Sequence, residues 1–110
     1  MTTSMKQHDL EPALTLYAED VAGLTNLNLV ASWRVLATRL GVSVFIDTSP
    51  TVTVDPVNHS KATIVHTWVA GETATAGDLK VEAEAMWPNG RPQTFPASGS
   101  VTVRIRPDLG

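Results

Sequence analysis

The chain has 110 residues, a formal net charge of −3 and no cysteine, with 43% apolar and 17% charged residues. That length suffices for one domain with its own core, and the composition is that of a folded rather than a disordered chain. The acidic balance excludes bulk nucleic-acid binding, and the absence of cysteine excludes disulfides, a thiol nucleophile and Cys-based metal sites.

The stretch Met1–Asp9 is polar and lacks the apolar core of a signal peptide. It reads as a flexible arm over residues 1–9, ordered by a neighbouring subunit, ahead of a single domain over residues 10–107. No run approaches the ~20 apolar residues of a membrane span. After Pro12, Leu14, Leu16 and Ala18 alternate with Thr15, Tyr17 and Glu19, a period of two that predicts a first strand.

Residues 26–40 fit two patterns. Leu29, Trp33, Leu36, Ala37 and Leu40 make a helical stripe, with Asn26 as N-cap and Gly41 as stop. Leu27, Leu29, Ala31, Trp33 and Val35 alternate equally well as a strand. The β-rich surroundings favour an extended segment over 27–36, with Trp33 in the core.

Val42, Val44 and Ile46 predict the next strand, then Thr51–Val54, closed by Asp55-Pro56, then residues 62–69. Gly71–Gly77 is a corner of small residues. Leu79, Val81, Ala83 and Ala85 alternate with Lys80, Glu82 and Glu84 in the clearest strand, which runs to Trp87. Pro88-Asn89-Gly90-Arg91 reads as a tight hairpin with positive φ supplied by Asn-Gly. Gln93–Pro96 returns, Ala97–Gly99 turns again, and Val101, Val103 and Ile105 face the core in the last strand, outward of which lie Thr102 and Arg104. About eight strands at this spacing predict an all-β, antiparallel β-sandwich.

No constellation for catalysis emerges. His59 and His66 are seven residues apart, unlike the close pairs of zinc sites. Asp47, Asp55, Glu72 and Asp78 fall in loops without calcium-loop spacing and suit turns and caps. Ser43, Ser49 and Ser98 lack an oriented base, and Asn58-His59-Ser60 is a chance sequon. No cofactor or metal is expected. Arg91, Arg104 and Arg106 read as solvated strand ends.

The Asp55-Pro56 turn, Thr67–Gly77, Val81–Glu84, Trp87–Arg91, Gln93–Pro96 and Val101–Pro107 together resemble a phage virion family. It is the immunoglobulin-like N-terminal domain of baseplate upper proteins and its small single-domain relatives. The resemblance covers about half of the chain, roughly residues 50–107. It departs at the start, where His8-Asp9 replaces a leading Gly-Asp, and at Thr75–Val81, where Leu79 stands in place of the tyrosine of an immunoglobulin corner. That corner is expected to be held by apolar packing alone.

The resemblance implies an immunoglobulin-like sandwich and a non-enzymatic virion structural protein, made in the host cytoplasm. Its partners would be other tail, baseplate, neck or capsid-decoration proteins in a symmetric, multi-copy assembly. No nucleic acid or membrane partner is implied. The candidate interface comprises Trp68, Trp87, Asn89, Arg91, His8 and Asp9. The competing reading is a carbohydrate- or host-surface-binding module with Trp68 or Trp87 as its stacking platform.

Overall fold

A computed structural model describes residues 2–20, 25–95 and 101–107. The described residues form nine strands and a single short helix: β1 (Thr2–Lys6), β2 (Leu14–Glu19), the 3₁₀ turn η1 (Leu27–Leu29), β3 (Ser32–Arg39), β4 (Val42–Asp47), β5 (Thr51–Val54), β6 (Lys61–His66), β7 (Gly77–Met86), β8 (Pro92–Phe95) and β9 (Val101–Arg106). The larger sheet has the order β1-β9-β7-β3-β4, with β8 also on β7; the smaller is β2-β6-β5. β8 pairs with Ala83–Met86 and β9 with Gly77–Val81, so the two occupy one side of β7 in succession. The turn expected at 97–99 lies outside the described residues.

The two sheets share one core. Leu79, Val81, Ala83 and Ala85 of β7, Val35 of β3 and Val103 of β9 are fully buried and meet Leu16 of β2 and Ile64 of β6. Every buried position in these strands follows the period of two, because successive side chains leave opposite faces of a sheet. Lys80 and Arg104 point outward as expected, while Glu82, Glu84 and Thr102 are half-covered by neighbours on the outer face. Trp33 and Val101 are half-buried at the margin of the core rather than inside it.

Four further expectations need correction. Residues 2–6 are not a separate arm: β1 lies parallel on β9 in the register Thr2–Thr102 through Lys6–Arg106, and Met5 is buried. Backbone pairing with β9 supplies what the apolar content of the segment could not. This parallel pair makes the larger sheet mixed; every other pair among the described residues is antiparallel.

The extended segment begins at Ser32, not Leu27. The Asn26 side chain accepts from the Asn28 amide (3.0 Å), a local bond that competes with strand pairing and closes η1. At the Trp87–Arg91 hairpin only Gly90 takes positive φ (81°). Gly90 N donates to Trp87 O and Trp87 N donates to Arg91 O, the pattern of a turn followed by a glycine bulge, so Asn89 needs no left-handed backbone.

The Leu79 corner is the fourth. Thr73 Oγ1 donates to Asp9 O (3.0 Å), His8 N donates to Thr73 O (3.1 Å) and Gln7 Nε2 donates to Ala74 O (2.9 Å). These bonds from the end of β1 hold the residues just before the corner; within it Arg39 Nη2 donates to Thr75 O (3.0 Å) and Arg104 Nε donates to Asp78 Oδ1 (3.1 Å), so hydrogen bonds add to the packing of Leu79.

Candidate functional site

Polar side chains at inward positions of a sheet are costly unless satisfied. The chain places two of them face to face. Asp47 continues the inward phase of Phe45 at the end of β4, and His66 continues the phase of Ala62 and Ile64 at the end of β6. His66 Nδ1 lies 2.7 Å from Asp47 Oδ2, and Nε2 lies 2.8 Å from Glu72 Oε1. The same Glu72 oxygen accepts the Val69 amide at 2.7 Å. Only 3% of the His66 side chain is exposed, against 20% for Asp47 and 15% for Glu72. Phe45 stacks on one face of the imidazole, and Trp68 meets it edge-on with centroids 5.2 Å apart.

This cluster joins the larger sheet to the smaller one and to the 69–75 corner. Chemically it is closed. A general base needs a free ring nitrogen within reach of a substrate proton, and both His66 nitrogens already contact carboxylates. Among the described residues no group of three or more His, Asp or Glu is placed to hold a metal ion. Reading His66 by its linear spacing to His59 missed the cluster. The available signal was two polar residues occupying the buried phase of their strands.

The interface candidates separate into three places. Trp68 is 5% exposed and its indole N–H donates to Pro12 O (3.1 Å), so it is a core residue and offers no platform. Trp87 is half-buried, with its indole N–H donating to Gln93 Oε1 (3.1 Å), and it stands beside exposed Asn89 and Arg91, whose amide donates to Asn89 Oδ1. His8 and Asp9 are exposed at the start of β7, beside the 69–75 corner, with His8 at φ 66°. The ten-residue strand β7 separates the Trp87 hairpin from His8 and Asp9, a span of roughly 30 Å. They cannot form one patch.

Exposed apolar side chains occur elsewhere. The β3–β4 hairpin turns through Leu40 and Gly41, both at positive φ (51° and 81°). Leu40 is 99% exposed, with Val42 at 68% and Ile46 at 51% along β4. The outer edges of β4 and β1 pair with no other strand among the described residues. On the smaller sheet, Tyr17 is 63% exposed in a shallow cleft of about 500 Å³, with Glu19, Lys61, Thr53 and Thr63 around it. No family model, curated protein or solved structure matches the chain.

Proposed function

We propose that the chain is a non-enzymatic structural subunit of a phage virion, an immunoglobulin-like sandwich that acts by docking on neighbouring virion proteins. The observation that supports this most is the strand order. A B-E-D sheet facing a G-F-C-C′ sheet is the arrangement of a variable-type immunoglobulin domain. Here β2-β6-β5 corresponds to the first, and β9-β7-β3-β4 to the second. β8 and β9 act as two halves of one terminal strand, and β1 adds alongside β9.

The mechanism is adhesion by surface complementarity. Open edges at β1 and β4, an exposed apolar tip and a rigid core fit a part that is positioned by its neighbours. Mass spectrometry of purified particles tests it. A copy number matching the capsid lattice indicates head decoration, and one matching the rotational symmetry of the tail indicates neck, tail or baseplate. Absence from particles overturns the reading.

Saccharide binding is the second reading, and it moves from the tryptophans to Tyr17. An exposed aromatic face flanked by hydroxyl and charged groups suits the apolar and polar faces of a sugar ring. Glycan-array binding lost in Tyr17→Ala would favour it; no binding by the wild type would remove it, and binding unaffected by the change would remove Tyr17 as its site.

A further inference from the structure

Leu40 combines two features that rarely coincide. A left-handed backbone at a non-glycine residue costs stability, and Asn, Asp or Gly normally fill such turns. A leucine there that touches almost nothing of its own domain gains nothing in return from the fold. Its neighbours repeat the pattern. The β4 edge reads Val42-Ser-Val-Phe-Ile46, without the lysine or proline that usually blunts an open edge.

The opposite edge of the same sheet carries a complementary feature. Between β1 and β2 lies an apolar groove of about 280 Å³, lined by Ser4, Met5, Pro12, Ala13, Leu14 and Trp68 among others. The register of the sheet relates the two. Thr38 pairs with Lys80, Lys80 with Thr102, and Thr102 with Thr2. Two residues further along each strand, Leu40 stands at the level of Ser4, beside the groove. Following the pairings across the sheet, β4 also runs antiparallel to β1. A second copy turned to follow the twist of the sheet, which accumulates roughly 20–25° per strand step, therefore offers its β1 edge antiparallel to β4, with its groove level with the first copy's Leu40.

We propose that the chain associates with itself head to tail, Leu40 of one copy seating in the β1–β2 groove of the next and β4 pairing with β1. The inference rests on the docking reading and names its first partner as a second copy of this chain. Such a contact uses two different surfaces, so repetition builds a ring or a filament rather than a two-fold dimer.

Sedimentation velocity over a micromolar-to-millimolar series tests this on the full chain. Wild type should associate with rising concentration. Leu40→Asn should weaken association at least about tenfold, from loss of the buried side chain, while melting no lower than wild type because asparagine tolerates the left-handed turn. The chain has no cysteine of its own, so directed crosslinking is clean. Under mild oxidation, a mixture of Ser4→Cys and Leu40→Cys proteins should give mixed disulfide dimers in preference to dimers of either alone.

A monomeric wild type at all concentrations, or Leu40→Asn associating as wild type does, overturns the proposal. Preferential pairing of Leu40→Cys with itself overturns the head-to-tail arrangement. Wild type that stays monomeric yet is incorporated in particles sinks self-association and leaves docking intact; self-association by a protein absent from particles does the reverse.

Discussion

The imidazole of His66 lies nearly flat against the ring of Phe45, with centroids 4.3 Å apart and planes inclined by 12°. Phe45 belongs to β4 and His66 to β6, so the stack bridges the sheets at the point where Asp47 and Glu72 close on the ring. Removing the imidazole leaves two carboxylates facing one another in a largely buried site. Breaking a buried pair from one side typically costs 3–5 kcal/mol. Both carboxylates keep some contact with water, so His66→Ala should cost about 3 kcal/mol by urea denaturation. The double variant with Asp47→Ala should be less destabilised than the two single losses summed, by roughly 1 kcal/mol or more. Strict additivity would mean the two side chains do not act together.

Val103 is fully buried between Leu79 on β7 and Thr3 on β1. Val103→Asp places an unpaired charge there and should cost more than about 4 kcal/mol. Circular dichroism at room temperature should show most of the fold lost. A melting temperature within a degree of wild type would refute the assignment of the inward face.

Met5 is the buried side chain of β1 and packs on the common core. Met5→Ala should cost about 2 kcal/mol, the low end for a core methionine because the strand lies at an edge. Deleting residues 1–6 should lower the melting temperature further, since β9 loses one of its two partners and keeps only β7. An unchanged melting temperature after the deletion would show that β1 contributes nothing to the isolated domain.

The carboxylate of Asp55 accepts backbone amides from Asn58 (3.0 Å) and Val57 (2.8 Å). These bonds hold its pKa below the usual carboxylate range. A lowered folded-state pKa stabilises the fold above the unfolded value, and that stabilisation is lost as pH falls through the folded value. The wild type should therefore melt above Asp55→Ala at neutral pH, with the gap closing in acid. A gap that stays constant down to the acid limit would rule out the linkage.

Much of the fold was legible because six strands follow a period of two with apolar residues on one face; in β4 the Val42, Val44 and Ile46 series misleads, because Phe45 takes the inward phase and the register shifts between Ala37 and Thr38. β1 was not, since Thr2-Thr-Ser-Met-Lys carries a single strong apolar residue and owes its place to the backbone of β9, a partner a hundred residues away. η1 was hidden by Leu27 and Leu29, which continue the alternation of β3 while the Asn26 side chain closes a turn. The His66 cluster draws on three separate segments, so no local window contains it. Trp68 was an interface candidate by pattern alone; its ring contacts with Phe45 and His66 and its bond to the carbonyl of Pro12, distant in sequence, place it in the core. The Leu40-Gly41 pair between two alternating runs was a readable hairpin signal, obscured by the competing helical stripe.

The parallel pairing of β1 with β9 also determines how the domain carries load. Thr2 and Arg106 lie at opposite ends of the paired stretch, whereas Lys6 and Arg106 face each other at one end. Tension entering at Thr2 and leaving at Arg106 drags the strands along one another, and the backbone bonds between them resist together. Tension between Lys6 and Arg106 peels the same bonds apart one after another. Single-molecule pulling, which reports the barrier to unfolding, should give a clearly higher rupture force in the first geometry than in the second. The joint is stiff along the axis of the strands and weak across it.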